Sequence, residues 1–133
     1  MGIEIVFTNE RIVVPPLHSE SREAGACLEF HGIVREMEEG RALAGLAYEA
    51  YEPMASKYVE RIFSRLIAVY SVEAVLFIHR LGWVPVGETS MYVQVVAAHR
   101  GAAFAVCAAG ITLVKQDVPI WKSTTRPPDA PPR

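Results

Sequence analysis

Residues 90–119 read SMYVQVVAAHRGAAFAVCAAGITLVKQDVP, and the order of features in this stretch decides the fold. Ser90 to Ala98 is apolar at positions that alternate to both faces of a strand. A short run of that kind marks a strand covered on both sides, so it is central in a sheet. The residues from 101 to 117 then switch to helical spacing, with Phe104, Cys107, Ile111 and Val114 on one side. Gly110 interrupts an otherwise alanine-rich helix and weakens it by roughly 1 kcal/mol relative to alanine. Val118 precedes Pro119 and is biased away from helical angles, so the helix stops there.

The flanking chain supplies further layers. Upstream, Val72 to His79 reads as a strand, Gly82 as a turn, Val84 to Val86 as a short strand around Pro85, and Gly87-Glu88 as a second turn. Pro53 sits where proline favours a helix start, and the helix runs to about Tyr70. Met54, Tyr58, Val59, Ile62, Phe63, Leu66, Val69 and Tyr70 form its apolar stripe. Leu43 to Tyr51 is a strand candidate, and Glu36 to Gly40 (EMEEG) a polar loop. Gly25 to Val34 is a strand whose buried face the pattern leaves open, since Cys27 and Glu29 share one side and Leu28 and Phe30 the other. Ile3 to Phe7 is a first strand, ended by Pro15-Pro16, with a short helix expected over 17–24. The pattern is α+β: a mainly antiparallel sheet with two long helices packed on it.

The totals fit one domain of 133 residues, with 51% hydrophobic and 21% charged side chains. Residues 1–122 carry the domain, and 123–133 read as a proline-rich, flexible tail. A net charge of -2 without a basic block argues against nucleic acid as a partner. No apolar run is long enough for a membrane span. The start, MGIEIVFTNER, lacks the basic and apolar regions of a secretory signal, so a cytoplasmic location is expected. There Cys27 and Cys107 stay reduced. No metal-ligand cluster is evident, and no metal or other cofactor is expected.

Basic residues gather at the ends of elements: Arg35, His79-Arg80, His99-Arg100, Lys115 and Lys122. Convergent arginine, histidine and lysine suit a phosphate or another anion. Each also has a plainer reading. Lys115 near a helix C-terminus favours the helix dipole. Lys122 beside Trp121 fits a surface cation on an indole ring. Arg35 fits a surface arginine, and His99 a structural residue at a strand end.

Taken together, five segments are specific. FHGIVR (30–35), LAYEAYEPMA (46–55), IHRLGWVPVGE (78–88), AAHRGAAF (97–104) and LVKQDVPIWK (113–122) occur in this order. As a set they resemble the catalytic (large) subunit of molybdopterin synthase, the MoaE family, over almost the whole chain from Gly25 to Lys122.

The resemblance implies an α/β-hammerhead-like fold and a sulfurtransferase of molybdenum cofactor biosynthesis. Such an enzyme inserts two sulfurs into cyclic pyranopterin monophosphate. The sulfur comes as a thiocarboxylate on the C-terminal Gly-Gly of a small ubiquitin-like subunit, so the large subunit needs no nucleophilic thiol. The implied assembly is a homodimer within a heterotetramer. By position, Lys115 and Lys122 match the family's two essential lysines. Arg35, His99 and Arg100 match residues lining the substrate pocket, Ile33 and Val34 the stretch leading into it, and Ser123 and Thr124 its rim. The Pro-Ile-Trp segment is then a spacer returning Lys122 toward Lys115.

Two departures stand out. Ser123-Thr124 replace a lysine and glutamate that commonly follow the tryptophan-lysine pair, which removes the carboxylate expected at that edge. Thr112 stands where an aspartate is often found, and reads as tolerable surface variation. A non-catalytic relative that binds the pterin or the partner is the alternative reading, and a stand-alone phosphate-ligand hydrolase a third.

Overall fold

The computed structural model describes residues 2–16 and 21–124. Four strands form the main sheet: β1 (Gly2–Thr8), β2 (Ala26–Ile33), β6 (Val72–Arg80) and β8 (Thr89–Ala97), in the order β1-β6-β8-β2. β8 runs antiparallel to both its neighbours, and β1 runs parallel to β6. A second sheet of order β7-β5-β9 is built from β5 (Gly45–Ala50), β7 (Gly82–Pro85) and β9 (Ile120–Ser123). A small hairpin, β3 (Met37–Glu38) and β4 (Arg41–Ala42), stands apart. Helices α1 (Glu52–Val69) and α2 (Arg100–Asp117) pack on each other, with α1 against β1 and α2 against β2 and β8. The α+β class and mainly antiparallel pairing hold, but the single expected sheet is three. The residues 36–40 read as loop belong to the hairpin, and Ser123, placed in the tail, closes β9.

The central position of β8 follows from its sequence. Met91, Val93, Val95 and Ala97 face the helices, where Phe63, Phe77 and Val106 complete a fully covered core. Each methionine, valine and phenylalanine side chain among them contributes about 1.5–3 kcal/mol on burial. Tyr92 and Val96 point the other way and are also buried. The Tyr92 hydroxyl donates to Glu29 Oε1 at 2.5 Å and accepts from Gln94. Burial, with that carboxylate beside it, pushes the Tyr92 phenol up from its ordinary value. The same arrangement settles the face of β2: Ala26, Leu28 and Phe30 pack toward the helices, and Cys27 and Glu29 turn away. Cys107 lies in the helix-side core, so the two thiols sit on different sides of the sheet and both are free.

The helix stripes are narrower than their spacing suggests. In α1 the fully buried positions are Ala55, Val59, Ile62 and Phe63, while Met54, Val69 and Tyr70 are exposed. In α2 the covered positions are Ala103, Val106, Cys107, Gly110 and Val114, and Phe104 is exposed. Large residues assigned to the core lie outside it because small ones let the helices approach closely. Residues 21–24 are not helical; the rest of the short helix expected over 17–24, and the tail from 125, lie outside the described residues.

Candidate active site

Val118 caps α2 in extended geometry (φ -83°, ψ 130°), as its place before Pro119 requires. Its carbonyl accepts from the Ile120 N–H at 2.8 Å, a tight reversal about Pro119. The chain then enters β9 alongside β5, pairing Lys122 with Tyr48 and Trp121 with Glu49. Strand alternation sends Ile120 and Lys122 to one face and Trp121 to the other. The first face meets the last turn of α2. There Lys115 and Lys122 line a common cavity of about 250 Å³. Val114, Val118 and Ile120 form its apolar side, and Tyr48, His79 and Met91 its wall from the two sheets. The spacer reading of the Pro-Ile-Trp segment is what the geometry displays. Neither cysteine lines this cavity.

The sequence groups His79 and Arg80 with the anion-suited cations, and the structure corrects this. His79 is 3% exposed, between Tyr48 and Phe7 (ring centroids 5.0 and 6.3 Å away). Its Nδ1 lies 2.8 Å from the Arg80 carbonyl oxygen, so Nδ1 carries the proton and donates. Burial lowers its pKa to about 4, and the ring is a neutral imidazole at neutral pH. Arg80 is buried and donates to Glu88 Oε1 at 2.6 Å, joining the end of β6 to the start of β8. Neither side chain is a cation available to a ligand.

A carboxylate does stand at the edge where none was expected. Glu38 Oε1 accepts from Lys122 Nζ at 2.7 Å, and Glu38 Oε2 lies 3.8 Å from Arg35. The hydrogen bond from Lys122, together with its charge, holds the Glu38 carboxyl below its ordinary value. Arg35 thus touches the site only through Glu38, and its side chain is otherwise in solvent. Ser123 and Thr124 follow Lys122 and are exposed, and neither lines the cavity.

Other expected site residues fall elsewhere. Val34 is a core residue beside Leu46 and Val84, and both its main-chain groups are bonded to the Gly87-Glu88 turn. Ile33 ends β2 with its side chain exposed. His99 caps the N-terminus of α2 and Arg100 begins it. Lys115 sits at the other end, about 22 Å along the axis at ~1.5 Å per residue. Within one chain the two groups do not share a cavity. The first turn of α2 carries no acidic residue. Its positive pole, with His99 and Arg100, favours an anion there too. Thr112 is exposed and its hydroxyl bonds the Ala108 carbonyl, as surface variation would have it.

The sequence assigns no site role to Tyr48 or Glu38, and it presents His79 as a cation rather than as a buried neutral wall of the cavity. Tyr48 lay within a segment read only as a strand. Glu38 lay within a segment read as loop, although Gly40 after a polar pair was a usable hairpin signal. Among the described residues, no group of three histidine, cysteine or acidic side chains could hold a metal ion.

With this geometry in view, a sequence profile of the MoaE protein family matches residues 7–117. The chain belongs to the MoaE family. It is 37% identical over 120 residues to a molybdopterin synthase catalytic subunit of Aspergillus fumigatus, covering 90% of this chain and 64% of that one. It is 40% identical over 100 residues to the same subunit of Arabidopsis thaliana, covering 75% and 50%. The chain thus spans one half to two thirds of these relatives' length. Among solved structures, molybdopterin cofactor biosynthesis protein E from Burkholderia multivorans superposes with a TM-score of 0.81 at 30% identity, covering 96% and 86%. The matched residues include Arg35, His99, Arg100 and Lys115, and Lys122 lies just beyond them.

Proposed function

We propose that this chain is the catalytic subunit of a molybdopterin synthase. It converts cyclic pyranopterin monophosphate to molybdopterin by inserting two sulfurs, delivered as the C-terminal thiocarboxylate of a small ubiquitin-like subunit. One observation carries the reading: Lys115 and Lys122, from different elements, face one cavity that no cysteine of this chain lines. Two ammonium groups suit a phosphate or carboxyl-terminal anion, and the sulfur must then come from outside. The relatives' names and the family membership support the same assignment.

Within this reading Lys115 is the main catalytic group, moving protons as the cyclic phosphate opens and oxygen gives way to sulfur. Lys122 binds an anion of the substrate or of the thiocarboxylate end. His99 and Arg100 hold the substrate's phosphate from a second copy in a homodimer, which sits within a heterotetramer. Ser123 and Thr124 form the rim, and Arg35 and Ile33 the approach. Val34 supports that approach through the core. No described helix is long and apolar enough to cross a membrane, and we place the enzyme in the cytoplasm.

The test is conversion in vitro. The protein is mixed with the cyclic pterin and a thiocarboxylated small subunit, and the dithiolene product is measured. The native chain should give product. Lys115→Arg keeps the charge but holds its proton too firmly, so turnover should fall at least ~100-fold. Lys122→Arg should chiefly raise KM. Normal turnover by Lys115→Ala removes the catalytic assignment. Tight binding of the small subunit without product, by the native chain, supports a non-catalytic relative instead.

A further inference from the structure

Lys122 already has an anion within this chain. Glu38 holds its Nζ at 2.7 Å, and Glu38 is carried by the β3–β4 hairpin. That hairpin turns through Glu39 (φ 51°) and Gly40 (φ 77°), two consecutive left-handed residues. Two such residues make the tight two-residue turn that matches strand twist. Glutamate in that region costs about 1 kcal/mol or more, a strain the short turn imposes. The hairpin forms its own two-stranded sheet, and its base is closed by the Leu43 N–H on the Glu36 carbonyl at 2.7 Å. The carboxylate therefore sits at the end of a short arm, rooted beside Arg35, that reaches over to β9.

We propose that Glu38 is a specificity-determining residue of this site, acting through Lys122 as a tethered competitor that the incoming anion must displace. The inference rests on the reading of the cavity as an anion site. A tethered group competes at an effective concentration in the millimolar range. A simple monoanion that meets Lys122 alone gains nothing over Glu38. An anion that also reaches Lys115, in the same cavity, gains a second ammonium and wins. Selectivity of this kind comes from a built-in penalty against the wrong ligand.

The experiment is calorimetric titration of the native chain, Glu38→Gln, Glu39→Gln, Lys122→Ala and the double variant Glu38→Gln with Lys122→Ala, with two probes. One is inorganic phosphate; the other is a peptide ending in a Gly-Gly carboxylate. Glu38→Gln should bind the probe that uses Lys122 about two- to five-fold tighter, the worth of a part-exposed ion pair. Whichever probe responds identifies the anion's source. Glu39→Gln, one residue along and exposed, should bind as the native chain does. In a Lys122→Ala background the gain from Glu38→Gln should vanish. Equal or weaker binding by Glu38→Gln overturns the proposal, as does a gain that Glu39→Gln matches or that survives loss of Lys122. Binding of neither probe by any variant overturns both the proposal and the anion-site reading beneath it.

Discussion

Gly110 of α2 lies against the ring of Phe63 of α1, so closely that a β-carbon at 110 would overlap the ring edge. Phe63 is fully buried and cannot swing aside. Helix propensity alone would make Gly110→Ala stabilising by about 1 kcal/mol. The contact reverses the sign, and we expect destabilisation by about 1–3 kcal/mol, as in other overpacked cores. Urea denaturation measures it. The pair Gly110→Ala with Phe63→Leu should recover part of the loss; a stabilised single variant would show that the helices are not packed this way.

A second prediction concerns the two ends of α2. His99 and Arg100 stand at one end and Lys115 at the other, and under the proposed function we expect a complete site to draw on two copies. Lys115→Ala and Arg100→Ala chains should each be nearly inactive alone. Mixed and allowed to exchange, random pairing restores roughly a quarter of native sites, because half of the dimers carry one intact site of two. Product formation after mixing is the readout. No recovery on mixing, with exchange verified by mass-tagged subunits, would mean that each site is built within one chain.

A third concerns acid. His79 titrates at about 4 in the fold against an ordinary 6.5. The unfolded chain therefore binds a proton that the native chain refuses between these values, and stability falls as pH drops through that window. From pH 7.5 to 5 the loss from this residue is about 2 kcal/mol. Denaturant midpoints across that range should fall in the native protein. In His79→Gln, which does not titrate, the slope should flatten even if the variant is less stable overall. Parallel slopes in the two proteins would show that His79 is not the source.

The order of elements around residues 90–119 was legible because β8 is apolar on both faces and α2 ends at an enforced break before Pro119. The pairing of Lys115 with Lys122 was legible through the family marks, and its geometry follows from that break and strand alternation. What stayed hidden was set by contacts distant in sequence. Glu38 reads as one acid in a polar run until the hairpin carries it to Lys122. His79 reads as a strand-end cation until Phe7 and Tyr48 close around it. Val34 reads as pocket backbone until Leu46 and Val84 bury it. Phe104 has the right spacing for a core that Ala103 and Gly110 occupy instead.

Among the described residues β1 pairs with β6 alone, in parallel, from Gly2 at Ala74 to Thr8 at Arg80. Phe7, carried by β1, stacks on His79 across that same seam. The edge strand thus acts as a seal on the imidazole. When β1 frays, His79 meets water and takes a proton, and the charged ring opposes the strand's return. Acid should therefore peel this edge from the sheet before it melts the helices, and amide exchange along β1 should accelerate first.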